Sequence, residues 1–341
     1  MERAKITAGC ALAVTFCVMF VAAGDRSGGG TARPVAAGDD CARDGAAANA
    51  RTRGGGPRRD HADLDRREVT AMLADLRARM RERLGTDDER AWEATRRRGG
   101  PIRIPVRFHV ITDGGEGRVP REVVERQIAT LNGTYGGERG GVDTGVRFHL
   151  TGYGVTDRPA WFHRPLRNES AMKRALHAGG PGTLNLYSAA VGTDMLGFST
   201  FPQWYARRPA NDGVVVDYRT LPGGPHRNYN HGFTAVHEIG HWLGLFHTFE
   251  NGCEQPGDGI ADTPYEAVPA EGCPPRDTCS QPGSDPVHNF MDYGWDDCMH
   301  EFTPDQARRI RGAWAAYRAS GRNVRKDATG TRGARTVGGA R

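Results

Sequence analysis

The segment His237-Glu238-Ile239-Gly240-His241-Trp242-Leu243-Gly244-Leu245-Phe246-His247 constrains this chain more than any other part of it. Histidines four residues apart on a helix leave from one face, close enough to share a metal ion. Glu238 follows the first histidine, where a carboxylate can hold a metal-bound water. Glycine at position 244 can take a positive φ, end the helix and turn the chain back. That turn lets His247 supply a third ligand from outside the helix. Three neutral imidazoles leave zinc an open fourth position, the arrangement of a catalytic rather than a structural site. Apolar Val236, Trp242, Leu243 and Leu245 between these polar residues fit a helix packed inside a core. Three surface histidines on an unrelated helix would not need them.

The residues before this helix read as its scaffold. Ile102, Ile104, Val106, Phe108 and Val110 alternate with polar residues, predicting a strand with one buried face. Val124, Ile128, Leu131 and Tyr135 share a face of a helix starting near Pro120. Val146, Phe148 and Leu150 alternate again. A short helix is expected over Ala171 to Leu176, and strands at Leu184 to Tyr187 and Val214 to Val216. Strands mixed with helices imply an α+β sheet layer. After Asn228 come the histidine helix, a long segment rich in Gly, Pro, Cys and Asp, and a last helix. Thr303-Pro304-Asp305-Gln306 is a capping-box start for that helix, with Ala307, Ile310, Trp314 and Tyr317 as its buried stripe.

His-Glu-x-x-His-x-x-Gly-x-x-His is the zinc signature of the metzincin metalloproteases. Asn289-Phe290-Met291-Asp292-Tyr293 looks like the methionine-containing turn of those enzymes. Further matches are Phe233-Thr234-Ala235-Val236, Thr248-Phe249, Gly257-Asp258-Gly259-Ile260-Ala261-Asp262-Thr263-Pro264 and Cys298-Met299-His300-Glu301-Phe302-Thr303. Together they resemble the pappalysin family, and within it the small microbial, ulilysin-like secreted enzymes, over roughly Ile102 to Tyr317. The resemblance implies a metzincin (zincin-like) fold: a twisted mixed sheet, two long helices above a cleft, and an irregular disulfide-stapled lower subdomain ending in a C-terminal helix. It implies peptide-bond hydrolysis on protein or peptide substrates, with zinc on His237, His241 and His247. Zinc acidifies its water and polarises the scissile carbonyl, and Glu238 takes the proton and returns it to the leaving amine. Met291 would form an apolar floor under the ligands, and Tyr293 would stabilise the oxyanion. Leu196 and Gly197 fall where the family places an edge strand that pairs with extended substrate, though an ordinary loop would read the same.

Charge sharpens the picture. The chain has 341 residues, 46 Lys+Arg and 41 Asp+Glu, a formal +5. The surplus lies outside residues 101–321, which hold 21 basic and 25 acidic residues. Nucleic-acid binding is therefore disfavoured. From Asn228 to Asp305 there are 14 acidic residues and one basic residue, Arg276. Asp297 is expected to pair with an Arg or Lys side chain just beyond the scissile bond, against the alternative of a solvated acidic loop. The resemblance also favours structural calcium. Asp258, Asp262 and Thr263, with Glu254 and Glu266 nearby, offer oxygens in a loop that could wrap a hard cation, although their spacing is not an EF-hand's.

Cys253, Cys273, Cys279 and Cys298 allow three pairings, and the family pattern favours Cys253–Cys279 with Cys273–Cys298. A structural zinc site competes, but CxxC spacing is missing. Arg3 and Lys5 before the apolar run 6–23 predict a cleaved signal peptide over 1–23 and a secreted protein, a membrane anchor being the alternative. No stable membrane association is expected, and a monomer is. Residues 24–100 read as a propeptide: 24–60 lack large apolar residues, while Val69, Met72, Leu73, Leu76, Met80 and Leu84 recur at helical steps. Arg96-Arg97-Arg98 looks like an exposed linker open to cleavage. Cys41 there is either an incidental thiol or a zinc-binding cysteine switch. Residues 101–321 are then the catalytic domain, and 322–341 a basic disordered tail. Two other functions fit the motif: a zinc hydrolase acting on a non-protein amide or ester, and an inactive protease-like binding protein.

Overall fold

The structure, a computed structural model, describes residues 49–52, 64–95, 100–192 and 195–319. The apolar run 6–23, Cys41, Arg96 to Arg98 and residues 322–341 lie outside the described residues. In chain order the elements begin with β1 (Asn49–Thr52), α1 (Arg66–Leu84), α2 (Glu89–Thr95), β2 (Ile102–Thr112), α3 (Arg121–Tyr135) and β3 (Val146–Asp157). They continue with α4 (Pro159–His163), α5 (Glu169–Leu176), β4 (Leu184–Ala189), β5 (Met195–Ser199), β6 (Val214–Asp217), α6 (Phe233–Trp242) and α7 (Pro304–Ala313). A π-helical turn, Trp314–Arg318, follows α7. No described helix is long and apolar enough to cross a membrane.

The six strands form one sheet in the order β1-β5-β6-β4-β2-β3. β2, β3, β4 and β6 run parallel; β5 is antiparallel to β6, and β1 antiparallel to β5. Every residue of β4 and β6 is buried, as expected of parallel strands covered on both faces. Alternation sorts their side chains. Ile104, Val106, Phe108, Val110, Leu184, Leu186, Val214 and Val216 pack on one face with α3 and α6. Ile111, Tyr187, Ala189, Phe198 and Val215 pack on the other face with Phe162 of α4 and Met172 of α5. Each such fully buried large side chain contributes about 1.5–3 kcal/mol. The histidine-bearing helix α6 therefore rests on an apolar face of the sheet.

Some elements differ from their sequence-based outlines. β3 runs on to Asp157, paired with β2 as far as Thr112 after a register shift at Val106/Arg107. Its second half carries Gly152, Gly154 and exposed positions, so no apolar alternation marked it. The helical spacing of Val69 to Leu84 belongs to α1, which Gly85 at φ 79° ends before the separate helix α2. α1 opens on a capping box between Asp65 and Glu68, and α7 on one between Thr303 and Gln306.

Candidate active site

α6 supplies His237, Glu238 and His241, all completely buried. The helix stops in a Schellman turn. Gly244, at φ 97°, is the left-handed residue, the Gly244 N–H donates to the His241 carbonyl, and the Leu245 N–H returns to the Gly240 carbonyl at 2.9 Å. Any residue with a Cβ at 244 would meet strain and the Ala313 Cβ at 2.9 Å. The reversal carries His247 back to the other two histidines, and one ligand atom from each lies within 4.8 Å of the others.

Hydrogen bonds fix which nitrogen faces the centre. His237 Nδ1–H donates to the Phe290 carbonyl at 2.7 Å, and His241 Nδ1–H to the Leu245 carbonyl at 2.8 Å. Their Nε2 atoms stand 3.1 Å apart, with lone pairs left for a metal. Burial holds His241 well below its ordinary pKa and His247 at about 3, so both are neutral near pH 7, the form that coordinates. Three converging imidazoles, two of them held neutral by burial, fit zinc with one position open.

The turn Asn289 to Tyr293 closes the site from beneath. The Met291 N–H donates to Asn289 Oδ1, and the Met291 carbonyl accepts from the Thr248 N–H. A Cβ on Gly240 would lie 2.3 Å from the Met291 sulfur, so glycine there lets the methionine press against the helix between the ligands. Tyr293 Oη lies 3.2 Å from His247 Nε2, and its ring packs 5.0 Å from that of His247.

β5 brings Leu196 and Gly197 to the same place. A Cβ on Gly197 would stand 2.9 Å from Glu238 Cγ, so the strand backbone crosses directly over the carboxylate's stem. The free edge of β5 is taken by β1, with Arg51 opposite Gly197 and Asn49 opposite Ser199.

Disulfides join Cys253 to Cys279 and Cys273 to Cys298. Asp258 and Thr263 come together, the threonine hydroxyl donating to the carboxylate at 2.8 Å. Asp262 points elsewhere and caps α7, accepting from Thr303 Oγ1 and the Asp305 N–H. Asp297 is 75 % exposed and sits 3.5 Å from His231, whereas Asp296 is buried and accepts the His231 N–H.

Sequence reasoning gave no role to three neighbours of these histidines, although Phe249 stood among the family matches. Glu250 Oε2 lies 3.5 Å from His247 Nδ1, and burial raises its carboxyl to about 7. The Phe249 ring stacks on His247 at 4.6 Å, and the Phe201 ring meets the edge of His241 at 5.5 Å. Glu250 falls three residues after His247, a spacing that could have found it; Phe201 had no local signal.

Residues 195–315 match the family model described as pregnancy-associated plasma protein-A. An extracellular metalloprotease of Arthroderma benhamiae is 37% identical over 244 residues, spanning 70% of this chain and 80% of the relative. One from Neurospora crassa is 42% identical over 232 residues, spanning 64% of this chain and 77% of the relative. Mature mirolysin of Tannerella forsythia, solved with a cleaved peptide, superposes with TM-score 0.57 at 26% identity, covering 67% of this chain and 96% of mirolysin. Its precursor, promirolysin, gives TM-score 0.57 at 25% identity, covering 74% and 94%. With the sheet, the histidine cluster and the methionine turn in place, this chain belongs to the pregnancy-associated plasma protein-A (pappalysin) family of metalloproteases and has the metzincin fold.

Proposed function

We propose that this metalloprotease is a secreted endopeptidase, made as a latent precursor, that favours cleavage on the amino side of Arg and Lys. The observation that carries the endopeptidase reading is the passage of β5 directly over Glu238, beside the three histidines. An extended peptide added to the edge of β5 would form main-chain hydrogen bonds without regard to its sequence. Its scissile carbonyl would then lie within reach of the catalytic groups.

In this reading His237, His241 and His247 hold zinc, which when bound supplies an acidified water and a Lewis acid. Glu238 takes the proton from the water and delivers it to the leaving amine, so that an amine and a carboxylic acid part. Tyr293 donates its hydroxyl hydrogen to the oxyanion as it forms. Burial of Glu238 excludes competing solvent. Asp297, exposed on the loop after the methionine turn, attracts the basic side chain.

Latency is supported by β1, which fills the edge of β5 that substrate would need. Cys41, upstream of that strand and outside the described residues, is proposed to bind the zinc as a thiolate until it is removed. Calcium is proposed at Asp258 and Thr263. Asp258 is buried, its carboxyl is raised to about 7 by burial, and the Glu250 carboxylate nearby adds to the negative potential. A divalent cation would relieve both. Relatives named extracellular support secretion, with residues 1–23 as the signal peptide, and the region up to residue 100 as the source of the propeptide.

Casein hydrolysis by the purified protein tests the reading. Activity is expected to vanish in a zinc chelator, return with zinc, and be absent from Glu238→Gln. Hydrolysis by Glu238→Gln at the wild-type rate would overturn the assigned chemistry. A peptide library cleaved equally before Leu and before Arg would overturn the basic preference, and a Cys41→Ala precursor no more active than wild type would remove the cysteine switch.

A further inference from the structure

Residues 49–95 hold two parts that sit in different places. β1 lies on β5 and beside α6, across the cleft. α1 and α2 pack elsewhere: α1 on α7, on the Trp314–Arg318 turn and on the Pro202–Trp204 turn, and α2 on α7. A segment whose task is to block the cleft has no need of the second arrangement.

The contacts of α1 lead to the ligands from behind. Its first half puts Val69, Met72 and Leu73 against Phe201 and Phe246. Phe246 directly precedes His247, and Phe201 braces the ring of His241. Its second half puts Leu76 and Met80 against Ala313 and Ala316. Leu73 also occupies the space that a Cβ on Gly259 would need, its Cδ1 only 2.9 Å from that point, beside Asp258. Without α1, Phe201 and Phe246 would lose the Val69, Met72 and Leu73 side chains that cover them.

Polar contacts tie both helices to the same wall. Arg309 is 7 % exposed, and its Nε donates to Glu89 of α2 at 2.5 Å while its Nη2 donates to the Gly259 carbonyl. Arg311 pairs with Glu93, Arg90 with Asp305, and Arg66 with Glu254. The Tyr317 hydroxyl donates to Asp75 at 2.7 Å. Removal of α2 would take away the Glu89 carboxylate that pairs with Arg309 and uncover the wall on which α2 packs.

We propose that α1 and α2 remain in the active enzyme as the wall behind the metal-binding histidines, and that the removable segment ends on the N-terminal side of α1. The pair positions the ligands through Phe201 and Phe246 and does not touch substrate. The proposal rests on the precursor reading above, and one experiment separates their fates. Active enzyme is purified from a culture expressing the full chain and characterised by intact mass and peptide mapping. Peptides spanning Arg66–Thr95 are expected in equal amount with those of the catalytic region, and peptides containing residues 49–52 are expected to be gone. Active enzyme lacking both would overturn the inference and leave the precursor reading intact; active enzyme retaining both would overturn the two together. As a second measurement, Leu73→Ala in the full chain is expected to speed zinc loss to a chelator several-fold and lower the thermal midpoint, with KM for a peptide unchanged. Unaltered zinc loss would overturn the positioning role.

Discussion

Residues 102–242 and residues 248–302 meet at the same three histidines but are held together by different means. The first region is a sheet with helices on both faces, cohering through buried Val, Leu, Ile and Phe. The second holds no α-helix and no strand longer than an isolated bridge between Asn289 and Glu301, among the described residues. Its coherence comes from two disulfides and from carboxylates buried against specific partners. Arg276, the one basic residue between 228 and 305, lies between Glu266 and Asp285, 2.7 Å from each. Asp285 also accepts from the Thr278 N–H, and Asp292 from the Ala270 N–H. The regular region presents His237, His241 and Glu238, and the turn that follows it returns His247 to them. The irregular one presents the methionine turn and the tyrosine, which must curve under the helix in a way that no repeating element follows.

The largest expected effect belongs to the regular region and concerns chemistry alone. Glu238→Gln keeps shape and volume in a fully buried position but cannot take a proton. Turnover should fall by about 10²–10⁴-fold with the thermal midpoint nearly unchanged. A midpoint that collapses with the activity would mean that Glu238 supports the fold as well.

The two means of cohesion can then be set against each other. Leu186→Ala opens a cavity in the sheet core and should cost about 2–5 kcal/mol. Arg276→Ala leaves two buried carboxylates without their countercharge and should cost about 3–5 kcal/mol. Denaturant unfolding of both variants gives the comparison. A neutral Arg276→Ala would show that the disulfides alone hold residues 248–302, and the contrast drawn above would fail.

A smaller effect should appear as a dependence on pH. Burial raises the Asp258 carboxyl from the usual aspartate range to about 7, so metal-free protein holds it protonated when folded. A group whose folded pKa is raised stabilises the fold fully below its unfolded pKa, and that contribution is lost as pH climbs through the folded value. Metal-free protein should therefore lose stability between about pH 4 and pH 7, a slope that Asp258→Asn should reduce while buried Glu250 keeps its own share. Calcium should flatten the same slope by stabilising the charged form. A slope left unchanged by Asp258→Asn assigns it to another buried acid.

The same contrast explains what could be read before folding. α6 and its third ligand were legible because helix period and a glycine stop are local rules. β2, α3 and β4 were legible because alternation and three-to-four spacing report burial directly. β1 was not, since Asn-Ala-Arg-Thr carries no apolar pattern and pairs only because β5 offers an edge. α1 was legible as a helix, with its stripe correctly marked, but its partners Phe201 and Phe246 lie far along the chain. In residues 248–302 the candidate oxygens could be named, yet which converged depended on turns. Asp258 met Thr263, while Asp262 was spent on the start of α7.

The smallest expected effect concerns the outer surface of the irregular region. Asp297 is 75 % exposed and already near His231, so its attraction for a basic side chain competes with water and salt. Exposed pairs are worth about 0.2–1 kcal/mol, which limits its share of any preference to roughly fivefold. Asp297→Asn should lower the ratio of cleavage before Arg to cleavage before Leu by that factor or less, and raising salt should do the same to wild type. Asp296 differs in kind: it is buried and fixes the His231 N–H two residues ahead of α6, so its loss should disturb the approach to the ligands. A preference for Arg much stronger than fivefold that survives Asp297→Asn and high salt would therefore have to come from a buried acid, with Asp296 the residue to test next.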